Sequence, residues 1–96
     1  MPNPISRQSV FLGLGRERQI DQALKLVKSE LMRAEVKHGL NFASPHEAMS
    51  VIREEEDELW DHIKADTGRT DDAGKEACQI AAMAIKYMIN FDPGLQ

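Results

Sequence analysis

The chain has 96 residues and a mass of 10.8 kDa, a single small domain whose own core would be marginal. With 42% hydrophobic and 29% charged residues but only six Gly and four Pro, it is neither disordered nor a turn-rich β-sandwich, and a helical protein is expected. A net charge of −4 argues against a protein that lives on nucleic-acid phosphates, and a single Cys, Cys78, excludes an internal disulfide and a Cys-based zinc site.

Residues 1–16 carry Pro2, Pro4, Gly13 and Gly15 and read as an irregular N-terminal arm with a short element over Ser9 to Leu14. The arm is either a loose tail or a segment that docks Phe11 and Leu12 onto a partner subunit. Val10 to Leu14 is too short for a secretory core and is interrupted by Gly13. No run reaches the length of a membrane span. The expected location is the cytoplasm, where a lone Cys stays reduced.

A single all-α domain is expected over residues 17–92. The first helix runs from about Glu17 to His38, with Ile20, Leu24, Val27, Leu31 and Ala34 as a heptad-like stripe. Gly39 stops it, and Lys37 and His38 suit its last turn. The second helix starts at Ser44-Pro45-His46-Glu47, with Ser at the N-cap, Pro at the first position and Glu at the third, a capping box. It ends near Lys64 or Ala65, before a loop around Gly68. The third helix starts at Asp71 or Asp72, either of which suits an N-cap, and ends near Asn90. Residues 93–96 read as a C-terminal tail.

From Ala77 to Ile89 only Gln79 and Lys86 interrupt an apolar run. A helix apolar on every side must be buried on every side, and two helices of one chain cannot surround it. The expected architecture is therefore an antiparallel bundle of three main helices per chain, completed by a homo-oligomer, a dimer or a dimer of dimers.

The second helix also holds five consecutive acids, Glu54-Glu55-Glu56-Asp57-Glu58. At 100° per residue they cannot all face solvent. Its apolar stripe is Ala48, Ile52, Leu59 and Ile63, so a carboxylate at 55 or 56 falls where the stripe needs an apolar residue. Glu58 and His62 follow at helical spacing, and Trp60 reads as core. On the third helix Glu76 and Gln79 form another i, i+3 pair. Antiparallel packing would gather Glu55, Glu58, Glu76 and Gln79 inside the bundle. Clustered hard oxygen donors suit Mg²⁺, with Mn²⁺ as the alternative, whereas an acid run that merely solvates a helix face is the bland reading. His62 fits a neighbour of this cluster better than a ligand.

The segments Ser44 to Ala48, Val51 to Trp60 and Lys75 to Ala84 together resemble the MazG-like all-α nucleoside triphosphate pyrophosphohydrolases. That family pairs an E-x-x-E motif on one helix with E-x-x-D on a later one. Glu55-x-x-Glu58 matches the first, with Glu54 completing its E-E-x-x-E form, and Glu76-x-x-Gln79 matches the second except at its last position. Seventeen residues, 59–75, separate the motifs. The resemblance spans about residues 35–90. It implies Mg²⁺-dependent hydrolysis of an NTP or dNTP to the monophosphate and pyrophosphate, with nucleotide-pool house-cleaning as a role. It also implies Glu55, Glu58, Glu76 and Gln79 as metal ligands and Glu54 as the catalytic base, the roles of Glu54 and Glu55 being exchangeable.

Gln79 offers a carbonyl oxygen but no charge where the family has Asp, which weakens metal binding or removes one metal. Lys37 and His38 are the first choices for binding substrate phosphates, with Arg33, Arg69 and Lys75 behind them. The competing reading is a non-catalytic helical oligomer, a binding or regulatory module with a degenerate metal site. Nucleic acid and membrane are not expected partners.

Overall fold

A computed structural model describes residues 7–96, except for the side chains of residues 7–12 and 14. It contains three α-helices, α1 (Arg7–His38), α2 (Pro45–Ala65) and α3 (Asp71–Phe91), and a short 3-10 turn at Pro93–Leu95. No strand occurs among the described residues. The all-helical expectation holds. No helix of the described residues is long and apolar enough to cross a membrane.

Local chemistry explains most boundaries. Ser44 caps α2, its hydroxyl oxygen accepting from Glu47 N at 3.1 Å, with Pro45 at the first position. Gly39 closes α1 at φ +89°, and its N–H donates to Glu35 O at 2.8 Å, as a left-handed stop should. The cap of α3 is Thr70, not Asp71 or Asp72. Its Oγ1 accepts from Ala73 N at 3.1 Å, and both aspartates sit in the first turn, where the helix dipole favours them. Gly68 turns the α2–α3 loop at φ +75°, and a Cβ there would stand 2.9 Å from Ile63 Cγ1.

The N-terminal arm is the main correction. Helix α1 begins at Arg7, so residues 7–16 are helical rather than irregular. No Pro lies between 7 and 38, and a Gly inside a helix costs only about 1 kcal/mol relative to Ala. Residues 1–6, and the side chains of Phe11 and Leu12 with their suggested docking, lie outside the described residues. At the other end, residues 93–96 fold back rather than trail. Asp92 Oδ1 accepts from Gly94 N at 2.8 Å, and Gln96 Nε2 donates to Ile89 O at 2.6 Å.

Helix α3 is the centre. Helices α1 and α2 each pack on it and not on one another. Helix α2 runs antiparallel to α3, whereas α1 and α3 run in the same direction. The core is thin: Val27, Leu31 and Ala82, flanked by half-buried Cys78, Ala81, Met83 and Ile85. No large side chain is fully buried among the described residues. Tyr87, Met88 and Ile89 are exposed on α3, so within one chain the apolar helix is covered on part of its surface only. Trp60 is 55% exposed, with Lys64 Nζ 5.9 Å from its ring centre, and is not core. Ile20 and Leu24 continue the stripe that packs on α3, but they lie on the part of α1 that overshoots α3, and they are exposed.

Candidate metal centre

The periodicity of α2 turns Ala48, Ile52, Glu55 and Leu59 toward α3. Ala48 is fully buried and the other three are half-buried, while Glu54, Glu56, Asp57 and Glu58 are exposed. Glu55 is therefore the acid that takes an apolar position. On the facing turn of α3, Glu76 and Gln79 are half-buried.

The two helices bring Glu55, Glu58 and Glu76 together. One carboxylate oxygen from each lies within 4.8 Å of the others. Gln79 completes the group. With its amide nitrogen turned inward it donates to Glu55 Oε2 at 2.5 Å and to Glu76 Oε2 at 3.0 Å. With its oxygen turned inward, Gln79 adds a fourth oxygen to those of the three acids, an arrangement that a bound cation or protons on the acids would reconcile. Such a donor set fits Mg²⁺ or Mn²⁺ and offers no soft ligand. His62 Nε2 lies 3.9 Å from Glu76 Oε1, the place of a neighbour.

Like charges gathered out of water hold their protons more tightly. Burial first, then the hydrogen bond to Glu76 and the charges of Glu58 and Glu76, push Glu55 up to about 7. The hydrogen bond and charge of Glu76 raise Glu58 as well.

Beside the cluster runs a groove of about 420 Å³, walled by α1 and α2 and floored by α3. Glu54 and Glu55 line one wall, Glu30, Arg33 and His38 the other, and Gln79, Met83 and Lys86 the floor. Of the suggested phosphate ligands, His38 and Arg33 reach the groove. Lys37 does not line it, and neither do Arg69 and Lys75. Arg33 is engaged by Glu30, with Nε to Oε2 at 3.0 Å and Nη2 to Oε1 at 2.6 Å. This ion pair holds the Glu30 carboxyl below its ordinary range. Cys78 packs on the core, and burial pushes its thiol up, as suits a small inert residue.

Sequence reasoning missed Lys86 as a lining residue. It is 4% exposed, and its Nζ donates to Gly39 O at 2.9 Å and stands 4.5 Å from the centre of the Phe42 ring. Its signal was present as the cation inside the apolar run of α3. Asn41 and Phe42, which share this end of the groove, gave none, because they lie in a loop without periodicity. No family model matches the chain, and neither a curated protein nor a solved structure matches it.

Proposed function

We propose that this protein is a divalent-cation-dependent nucleoside triphosphate pyrophosphohydrolase of the MazG-like kind, acting on an NTP or dNTP. The observation that carries the reading is the convergence of Glu55, Glu58 and Glu76 from two helices at the edge of an open groove. Glu55, Glu58 and Glu76 hold Mg²⁺ or Mn²⁺, and Gln79 turns its carbonyl oxygen inward to join them. Bound there, the cation neutralises phosphate charge and makes a nearby water more acidic. Glu54, exposed on the groove wall, accepts the proton of the attacking water on its carboxylate. The new bond forms at the α-phosphorus, and pyrophosphate leaves with the electrons of the broken Pα–O bond. His38, on the opposite wall, contacts the bound nucleotide.

The protein acts as a homo-oligomer in this reading. Its 7883 Å² of accessible surface compares with roughly 5,500 Å² for a compact monomer of this mass. The excess, roughly 2,400 Å² per chain, is larger than the roughly 800 Å² that each partner of a standard interface buries.

One observation favours a second reading, a binding or regulatory module without catalysis. With its nitrogen inward, Gln79 satisfies Glu55 and Glu76 by itself, and the cluster closes without a cation. The experiment that separates the two is Mg²⁺-dependent pyrophosphate release across standard and modified nucleotides. Wild type is expected to turn over at least one of them. Glu55→Gln is expected to lose about 100-fold or more in rate, in line with removal of a group that stabilises transition-state charge. Equal activity in Glu55→Gln sinks the ligand assignment. Nucleotide binding with no turnover anywhere in the panel selects the module.

A further inference from the structure

The groove has a second charged end. Lys86 lies on α3 seven residues beyond Gln79, an axial rise of about 10.5 Å. It lines the groove floor while being 4% exposed. A lysine buried to this degree is ordinarily paired with an acid. Among the described residues no carboxylate pairs with Lys86. Its ammonium has one carbonyl, Gly39 O, and one ring face, Phe42, fewer partners than its three N–H donors. The ammonium can only donate.

We infer that Lys86 is a specificity-determining residue that selects nucleobases presenting a carbonyl oxygen over those presenting an amino group at the same position. This rests on the nucleotide reading of the groove. Phosphates held at the carboxylate end leave the sugar and base to run along α3 toward Lys86, and the separation is comparable to the span from an α-phosphate to the far edge of a base. A keto oxygen there accepts the free N–H of Lys86. An exocyclic amino group sets donor against donor beside a lysine that is only 4% exposed and leaves both unsatisfied.

UTP against CTP, and ITP against ATP, test this. Each pair differs at that exocyclic group and the ring-nitrogen proton that accompanies it. Hydrolysis of the four nucleotides would be measured with Mg²⁺, beside calorimetric binding of their α,β-methylene analogues. Wild type is expected to prefer the keto member of each pair by roughly tenfold or more, since a buried polar group left unpaired discriminates strongly. In Lys86→Met the ratio is expected to fall toward one. Lys86→Gln, which can accept as well as donate, is expected to narrow it and serves where circular dichroism shows Lys86→Met to be unfolded. Binding without keto preference, or a preference that survives both substitutions, overturns the inference and leaves the nucleotide reading standing. Selective binding without hydrolysis supports the inference and removes the hydrolase. Failure of all four analogues to bind overturns both.

Discussion

Glu55 stands where the packing of α2 on α3 would otherwise take an apolar side chain, and this sets its chemistry. In the cation-free fold it keeps its proton up to about pH 7, against 4.5 for the ordinary carboxyl. Between those values the folded state binds more protons than the unfolded chain, so stability falls as pH rises. The contribution is fully present below the unfolded value and is lost as pH passes the folded one. Without divalent cations, the protein is expected to lose on the order of 1–2 kcal/mol from this residue between about pH 5 and pH 8, less than the full shift because water still reaches the site. Urea melts at the two pH values measure it. Glu55→Gln is expected to flatten the dependence, and an unchanged slope in that variant would falsify the assignment. The α2 periodicity narrowed the inward acid to position 55 or 56. The i, i+3 spacing to Glu58 and the family resemblance singled out Glu55, and the packing does turn Glu55 rather than Glu56 inward.

The elements are held by their ends as much as by their faces. The segment after α1 is pinned to α3 by two polar side chains. Asn90 Oδ1 accepts from Phe42 N at 2.7 Å, Asn90 Nδ2 donates to Leu40 O at 3.2 Å, and Lys86 takes Gly39 O. This clamp seats Phe42, which is 8% exposed, and shapes the inner end of the groove. Asn90→Ala is expected to destabilise the fold by about 1–3 kcal/mol, because it leaves a backbone N–H and a carbonyl without partners. Thermal or chemical unfolding reads it, and a change under about 0.5 kcal/mol would remove the clamp from the account. The start of α2 was legible in Ser44-Pro45-His46-Glu47, and Gly39 marked the end of α1. The clamp was not, since it joins residues 48 and 50 positions apart. The start of α1 was misplaced because two glycines and two prolines upstream read as a break, whereas a helix tolerates isolated glycines.

At the scale of the whole molecule, a thin core and a long helix leave much apolar surface uncovered. The Cα radius of gyration is 16.9 Å, against about 12.5 Å for a compact domain of this length. Exposed Ile20, Leu24, Tyr87, Met88 and Ile89 are the parts that an oligomer would cover. Sedimentation at micromolar concentration is therefore expected to give a multiple of 10.8 kDa, and the melting temperature is expected to rise with protein concentration. A monomer with a concentration-independent, cooperative melt overturns this expectation.

Helical periodicity, the caps and the composition were enough to establish three helices, the boundaries of α2 and the acids that would meet if α2 and α3 packed antiparallel. These are local properties, carried by residues three or four apart or by a single capping side chain. The convergence of Glu55, Glu58 and Glu76, the choice of His38 over Lys37 for the groove wall, the exposure of Trp60 and the burial of Lys86 all depended on how the helices lie against α3. They join residues distant in sequence, and no local pattern encodes the rotation and direction that bring such residues together.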